Sequence, residues 1–281
     1  MADSRAPAVA GSFYPASADE LRKLLQECFV SSPLGPQGRR EAATNLLGGL
    51  APHAGYIYSG PCAAHFYALL EKDTQCVIIL GVNHRGIGAK AALSPAAVWH
   101  TPLGGVAVQP RLQEQLLAGV DFLRVDERAH VQEHSIEVHL PFLQTVLSGP
   151  AFVPISLGHI AGNDCERLGR AVAEIYEGQV AAGRKTLLVA STDLSHYLSP
   201  EETERLDAIA LERVLALDPL GLLKTVEEER ISMCGVIPTT VLLFAANALG
   251  ARGARLLKHC HSGDAVRMSE VVGYASVAIE F

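Results

Sequence analysis

The chain has no CxxC spacing, no cluster of lysines and arginines, no low-complexity tract and no internal repeat. Each absence excludes something. Cys28, Cys62, Cys76, Cys165, Cys234 and Cys260 lie scattered, which argues for free thiols in a reducing cytoplasm and against a disulfide framework. The first fifteen residues carry neither a basic nor an apolar leader region, so no secretory signal is expected. Charge is sparse at 19% of residues, with a formal balance of -7. An acidic chain without a basic patch is unsuited to nucleic acid or an anionic membrane. Between Ile231 and Ala251 there is no charge at all, a length that could cross a bilayer. Ser232, Cys234, Gly235, Pro238, Thr239, Thr240 and Asn247 interrupt it, so a buried core helix is expected instead.

What is present is core-forming material. Of 281 residues, 49% are hydrophobic, enough for one large domain spanning residues 1–281. After an irregular opening arm, Ser17 with Glu20 three residues on predicts a capped helix to about Phe29. Residues 31–44, rich in Ser, Pro, Gly and Arg, read as an exposed, mobile loop. Short apolar runs at 45–51, 76–82, 151–157, 185–191 and 273–281 read as strands, and 91–108 as short extra strands. Helical patterns occupy 61–72, 110–118, 163–181, 201–217, 219–228 and 238–249. That alternation predicts an α/β fold: a largely parallel or mixed central sheet with helices on both faces.

The histidines gain meaning from the strands they follow. Residues 46–51 run into Pro52-His53-Ala-Gly-Tyr56, residues 77–81 into Val82-Asn83-His84, and residues 187–191 into Thr192-Asp193-Leu-Ser-His196. In open α/β sheets the carboxyl edge forms the ligand crevice, so these side chains converge despite their separation in sequence. Taken singly, His53 or His84 reads as a loop or capping residue; together at one edge they read as metal ligands. His159 follows a strand too, but its polar surroundings make it a surface histidine. Asp193 with His196 suits a general base and its partner, or equally an Asx turn beside a solvated imidazole. Cys234, at the mouth of the apolar helix, is either a thiolate favoured by the helix terminus or a small buried hydrophobe. Cys62, Cys76 and Cys165 read as packing residues. His130 to His134 spells H-x-x-E-H, the pattern of an inverted metallopeptidase, but no apolar periodicity precedes it to make the continuous helix that site requires. Glu133, His134 and Glu137 read instead as cleft-lining groups or a solvated helix face.

The residues also resemble a known family. Arg5-Ala-Pro-Ala-Val-Ala-Gly-Ser-Phe-Tyr-Pro15, Ala51-Pro-His-Ala-Gly-Tyr-Ile-Tyr-Ser-Gly60, Leu80-Gly-Val-Asn-His84, Glu133-His-Ser-Ile-Glu-Val-His-Leu-Pro141 and Ser191-Thr-Asp-Leu-Ser-His-Tyr197 are similar, in order, to the motifs of the Memo family. Its prokaryotic members form the AmmeMemoRadiSam system protein B group. The resemblance implies a fold like the catalytic subunit of class III extradiol ring-cleavage dioxygenases, which bind iron(II) through two His and one Glu. It implies His53 and His84 as the His ligands, His196 as acid/base with Asp193 beside it, and Cys234 in place of the glutamate ligand. A thiolate is softer than a carboxylate and opens the site to copper or zinc as well as iron(II).

Three functions follow as expectations. The first is a non-haem iron-dependent oxidoreductase acting on a small oxygen-bearing substrate, with Tyr56 hydrogen-bonding that substrate. The second is a non-catalytic adaptor holding a metal and a peptide on the same scaffold. The third is a zinc-dependent hydrolase. The group's name implies a radical SAM protein and an AMMECR-type protein as partners.

Overall fold

The computed structural model describes residues 4–39 and 42–281. The strands among them are β1 Ser4–Arg5, β2 Leu46–Ala51, β3 Cys76–Val82, β4 Ala91–Leu93, β5 Val98–Thr101, β6 Gly104–Val108 and β7 Arg124–Val125. They continue with β8 Ala151–Leu157, β9 Thr186–Ser191, β10 His196–Leu198, β11 Gly253–His261 and β12 Val271–Glu280. The helices are α1 Ala18–Gln26, α2 Tyr56–Tyr67, α3 Pro110–Gly119, α4 Leu140–Val146, α5 Gly162–Ala181, α6 Pro200–Leu215, α7 Pro219–Glu228, α8 Val236–Ala248 and the short α9 Ser262–Ala265.

Strand order across the sheet is β1-β5-β6-β8-β3-β9-β2-β12-β10, with β11 on the far side of β12 and β4 and β7 branching from β8. The centre, β8-β3-β9-β2, is parallel. The outer pairs β2-β12, β11-β12 and β5-β6 are antiparallel. The sheet is therefore mixed around a parallel heart. Alternation in the central strands feeds two separate cores. Ile78, Leu80, Val153, Ile155, Leu188 and Ala190 face the layer that contains α5 and α8. Val77, Ile79, Phe152, Leu187 and Val189 face the layer containing α2 and α4. Residues buried on both faces need no polar alternation, which is why these strands stand out as unbroken apolar runs.

Several expectations shift. Helix α2 begins at Tyr56, five residues before Pro61. Pro61 leaves the Ile57 carbonyl without its helical donor, but Ile57 is exposed and water can serve it. Ser17 occupies the N-cap of α1 without a side-chain cap bond, and a π-helical turn, Glu27–Ser31, extends that helix. In the expected loop 31–44, Arg40 and Glu41 lie outside the described residues. Gly35 and Pro36 are buried, and the Gly38 N–H donates to the Phe29 carbonyl at 2.7 Å, so this segment is partly packed. The uncharged stretch forms α8, a core helix against α5, β3 and β9. No helix among the described residues is long and apolar enough to cross a membrane.

Candidate metal centre

Strand β9 lies between β2 and β3, so the loops after all three leave the same edge of the sheet. β2 delivers His53, β3 delivers His84, and β9 delivers Asp193 and His196. A fourth segment, 133–139, crosses this edge and adds His134. One ligand atom each from His53, His84 and His134 lie within 4.8 Å of one another. The His84 and His134 rings stack at 4.7 Å and 8°, and His53 stands edge-on to both, at 5.0 and 5.4 Å. His53 is buried, while His84 and His134 keep side-chain exposures of 29% and 21%, so the group reaches solvent on one side.

Hydrogen bonds decide which nitrogens face inward. Glu133 is the base of the arrangement. Its Oε2 accepts from the His84 backbone N–H at 2.8 Å, and its Oε1 accepts from His84 Nδ1 at 2.9 Å and from the backbone N–H groups of His134 and Ser135 at 2.8 and 2.9 Å. Burial alone would raise this carboxyl, but the His84 N–H, the charges of His84 and His134 and the Ser135 amide outweigh it and hold it at about 2. An ionised carboxylate only accepts, so His84 carries a proton on Nδ1, and in the neutral ring Nε2 presents the lone pair. Burial, with the like charges of His134, His84, His139 and His196, pushes His53 well below the ordinary imidazole range. Burial likewise pushes His134 down to about 4, opposed by Glu133. Neutral imidazoles with inward lone pairs are what a transition metal requires.

The segment Glu133-His134-Ser135 reaches every imidazole of the group. Glu133 holds His84, His134 belongs to the group itself, and the Ser135 carbonyl accepts from Ser191 Oγ at 2.6 Å, which lies 2.7 Å from His53 Nδ1. Gly81, at the end of β3, permits the approach: a Cβ there would sit 2.3 Å from Ile136 Cγ1.

Cys234 lies beside His53, with Sγ 3.2 Å from Nε2, and accepts from the Asp193 backbone N–H at 3.3 Å. Gly235 makes room for it, since a Cβ there would fall 2.3 Å from Thr192 Cβ. The expected thiolate is not favoured by this environment. Burial, and then the Asp193 carboxylate, push the thiol well above its ordinary value, and α8 begins two residues further on. Burial also raises Asp193, against the His53 N–H that its Oδ1 accepts at 2.8 Å. Asp193 therefore props the His53 loop. His196 finds its own partner: Nδ1 lies 2.9 Å from the Ser232 carbonyl and so carries the proton, leaving Nε2 unprotonated in the neutral ring.

Other expected site residues turn out to be structural. The Tyr56 hydroxyl donates to the Val138 carbonyl at 2.6 Å in the core, so it is not available to a substrate. Glu137 is fully buried and clasps the opening arm: it takes Arg5 at 2.6 Å, the N–H groups of Ala8 and Val9, and the Tyr14 hydroxyl. Arg5 also donates to the carbonyls of His130 and Glu133 and lies 4.0 Å over Trp99. The same arm sets the Phe13 ring 4.5 Å from His134. The H-x-x-E-H segment is a turn and loop that follows the 3-10 turn Glu127–Ala129, with His130 buried against Trp99, which removes the inverted-peptidase arrangement. His159 is exposed, and Cys62, Cys76 and Cys165 are packed in the interior. The sequence reading assigned no role to Ser191, Ser135 or His139, although all three stand inside the motifs quoted above.

Fold and site together define an α/β protein with a cluster of imidazoles, able to hold a metal ion, at the carboxyl edge of its parallel strands. The comparisons add the family. The model of the Memo-like protein family matches residues 5–278. A MEMO1 family protein of Methanopyrus kandleri is 40% identical over 280 residues, covering 97% of this chain and 98% of that one. MEMO1 family proteins of Ignicoccus hospitalis and Pyrobaculum aerophilum are 41% and 39% identical, over 97% of this chain in each case and 97% and 98% of theirs. The chain belongs to the Memo family.

Proposed function

We propose that the protein is a metal-dependent oxidoreductase of the extradiol type, with His53, His84 and Cys234 holding one divalent transition metal and His134 in reach as a further donor. The observation that carries this reading is the convergence of His53, His84 and His134, one ligand atom of each lying within 4.8 Å of the others, with Glu133 accepting from His84 Nδ1. The 3.2 Å between Cys234 Sγ and His53 Nε2 supports shared ligation, being near the roughly 3.5 Å between N and S donors on one tetrahedral metal. A set of imidazoles and a thiol suits iron(II), copper or zinc and not magnesium or calcium; iron(II) is the reading favoured by resemblance. When bound, such a metal supplies a Lewis acid and open positions for substrate oxygens.

The chain's own residues do the rest. His196, oriented by Ser232, offers Nε2 to take a proton from a substrate hydroxyl. Asp193 keeps the His53 loop in place beside it. The exposed sides of His84 and His134 mark the direction from which a small-molecule or peptide ligand enters. A radical SAM protein and an AMMECR-type protein as partners rest on the family resemblance alone.

Anaerobic reconstitution with iron(II), followed by oxygen-uptake measurements on a catechol and aminophenol panel, tests the activity. Uptake that depends on iron and falls in His196→Ala supports it; no uptake across the panel overturns it. Cobalt(II) substitution tests the ligands. A thiolate-to-cobalt charge-transfer band lost in Cys234→Ser supports Cys234, whereas a spectrum altered only in His134→Ala moves the third ligand to His134. A second reading, zinc-dependent hydrolysis, is supported by the three-histidine character of the cluster formed by His53, His84 and His134. Stoichiometric zinc in protein purified without added metal would put it first.

A further inference from the structure

Behind the imidazole group runs a buried chain of hydrogen bonds that the proposed chemistry does not use. The Tyr67 hydroxyl lies 2.7 Å from His139 Nδ1, His139 Nε2 lies 2.7 Å from Ser191 Oγ, and Ser191 Oγ lies 2.7 Å from His53 Nδ1 and 2.6 Å from the Ser135 carbonyl. Tyr67, His139, Ser191 and Ser135 are at most 1% exposed, so bulk water cannot exchange for any partner. We propose that Ser191, His139 and Tyr67 are positioning residues that lock the His53 proton onto Nδ1, leaving the Nε2 lone pair directed at Cys234 and the neighbouring imidazoles.

Counting protons forces this direction. A serine hydroxyl has one proton and two acceptor lone pairs. The Ser135 carbonyl can only accept, so the Ser191 proton goes there. Both imidazole nitrogens in contact with Ser191 Oγ must then donate to it: His53 through Nδ1 and His139 through Nε2. Burial keeps His139 neutral, so its Nδ1 carries no proton and accepts from the Tyr67 hydroxyl. Every group in the chain then has one consistent role. The opposite tautomer of His53 would set an unprotonated nitrogen against an oxygen lone pair at 2.7 Å, with nothing else to satisfy either. A free imidazole interconverts between its two tautomers; here the second is excluded from behind.

The tautomer stands independently of the metal reading; only its consequence for metal affinity rests on that reading. Long-range proton–nitrogen NMR of metal-free, full-length protein labelled at the imidazole nitrogens separates the two. Wild type is expected to show His53 as the pure Nδ1–H form, and Ser191→Ala a mixture of tautomers with an otherwise native spectrum. Restoration of the pure form in Ser191→Thr would tie the effect to the hydroxyl. Wild-type His53 protonated on Nε2, or an unchanged pure form in Ser191→Ala, overturns the proposal. The wild-type spectrum decides the matter even if a variant fails to fold. Cobalt(II) titration of the same samples is expected to show Ser191→Ala binding about 10- to 100-fold more weakly. Absence of cobalt binding in wild type would defeat the metal reading and leave the tautomer result intact.

Discussion

At the residue scale the site is a problem of proton placement. Glu133 is the clearest case, because one carboxylate holds His84 by backbone and ring and also supports His134 and Ser135. Glu133→Gln keeps the shape but removes the charge and places a donor where only acceptors fit. Metal affinity is expected to fall about 10- to 100-fold, measured by competition with a chromophoric chelator. His130 gives a different prediction. Its ring nitrogens are buried without a well-aligned partner, and burial, then the Arg5 charge, lower it from 6.5 to about 4. The unfolded chain therefore binds a proton in the window from 6.5 down to 4 that the folded chain refuses. Stability is lost as pH falls through that window and changes no further below it on this account. The full effect is about 3 kcal/mol, so urea unfolding at pH 7 and pH 4 should show His130→Phe losing that much less than wild type. His53 and His84 were legible as members of one cluster because each follows an apolar run that ends in a loop. Ser191 was not, since the last residue of a strand looks like any other small strand residue until its three neighbours are known.

At the scale of elements, the central strands were readable because burial on both faces leaves an unbroken apolar run. β11 was missed for the opposite reason. It is an edge strand, half-exposed along most of its length and carrying Arg255, Lys258 and His259, so its pattern resembles a polar loop. The start of α2 was masked by Pro61, which reads as an N-terminal signal although it lies inside the helix. The opening arm reads as irregular from sequence, and beyond the two-residue β1 it lacks regular structure up to α1, but Glu137 and Arg5 give it a fixed seat. Arg5→Met would leave the buried Glu137 carboxylate without its counter-charge. Unfolding free energy is expected to fall by about 3–5 kcal/mol, read by urea denaturation, and limited proteolysis should cut the arm first.

Across the whole molecule, the architecture was the most legible feature and the hydrogen-bond partners of the imidazole group the least. Alternating strands and helices require two packed layers around a sheet, whereas the partners of a buried imidazole depend on segments more than a hundred residues away, as Ser191 does for His53. Metal binding should register globally. At a free metal concentration 100 times its Kd, the folded state gains about 2.7 kcal/mol, which for a chain of this size corresponds to a rise in Tm of roughly 5 °C. Differential scanning calorimetry with iron(II) or zinc, then with excess chelator, should show the rise and its reversal. No shift with any of the candidate metals would count against a bound metal.

Three consecutive residues, Glu133, His134 and Ser135, serve the imidazole group by different routes: a carboxylate on His84, a ring within the group, and a peptide oxygen that reaches His53 through Ser191. The pocket therefore has a single keystone. One residue inserted between them would rotate the following groups away together, and a loop that lifts by the width of a hydrogen bond would free His84, carry His134 off and leave the Ser191 proton without its acceptor behind His53. The centre forms as a unit or not at all.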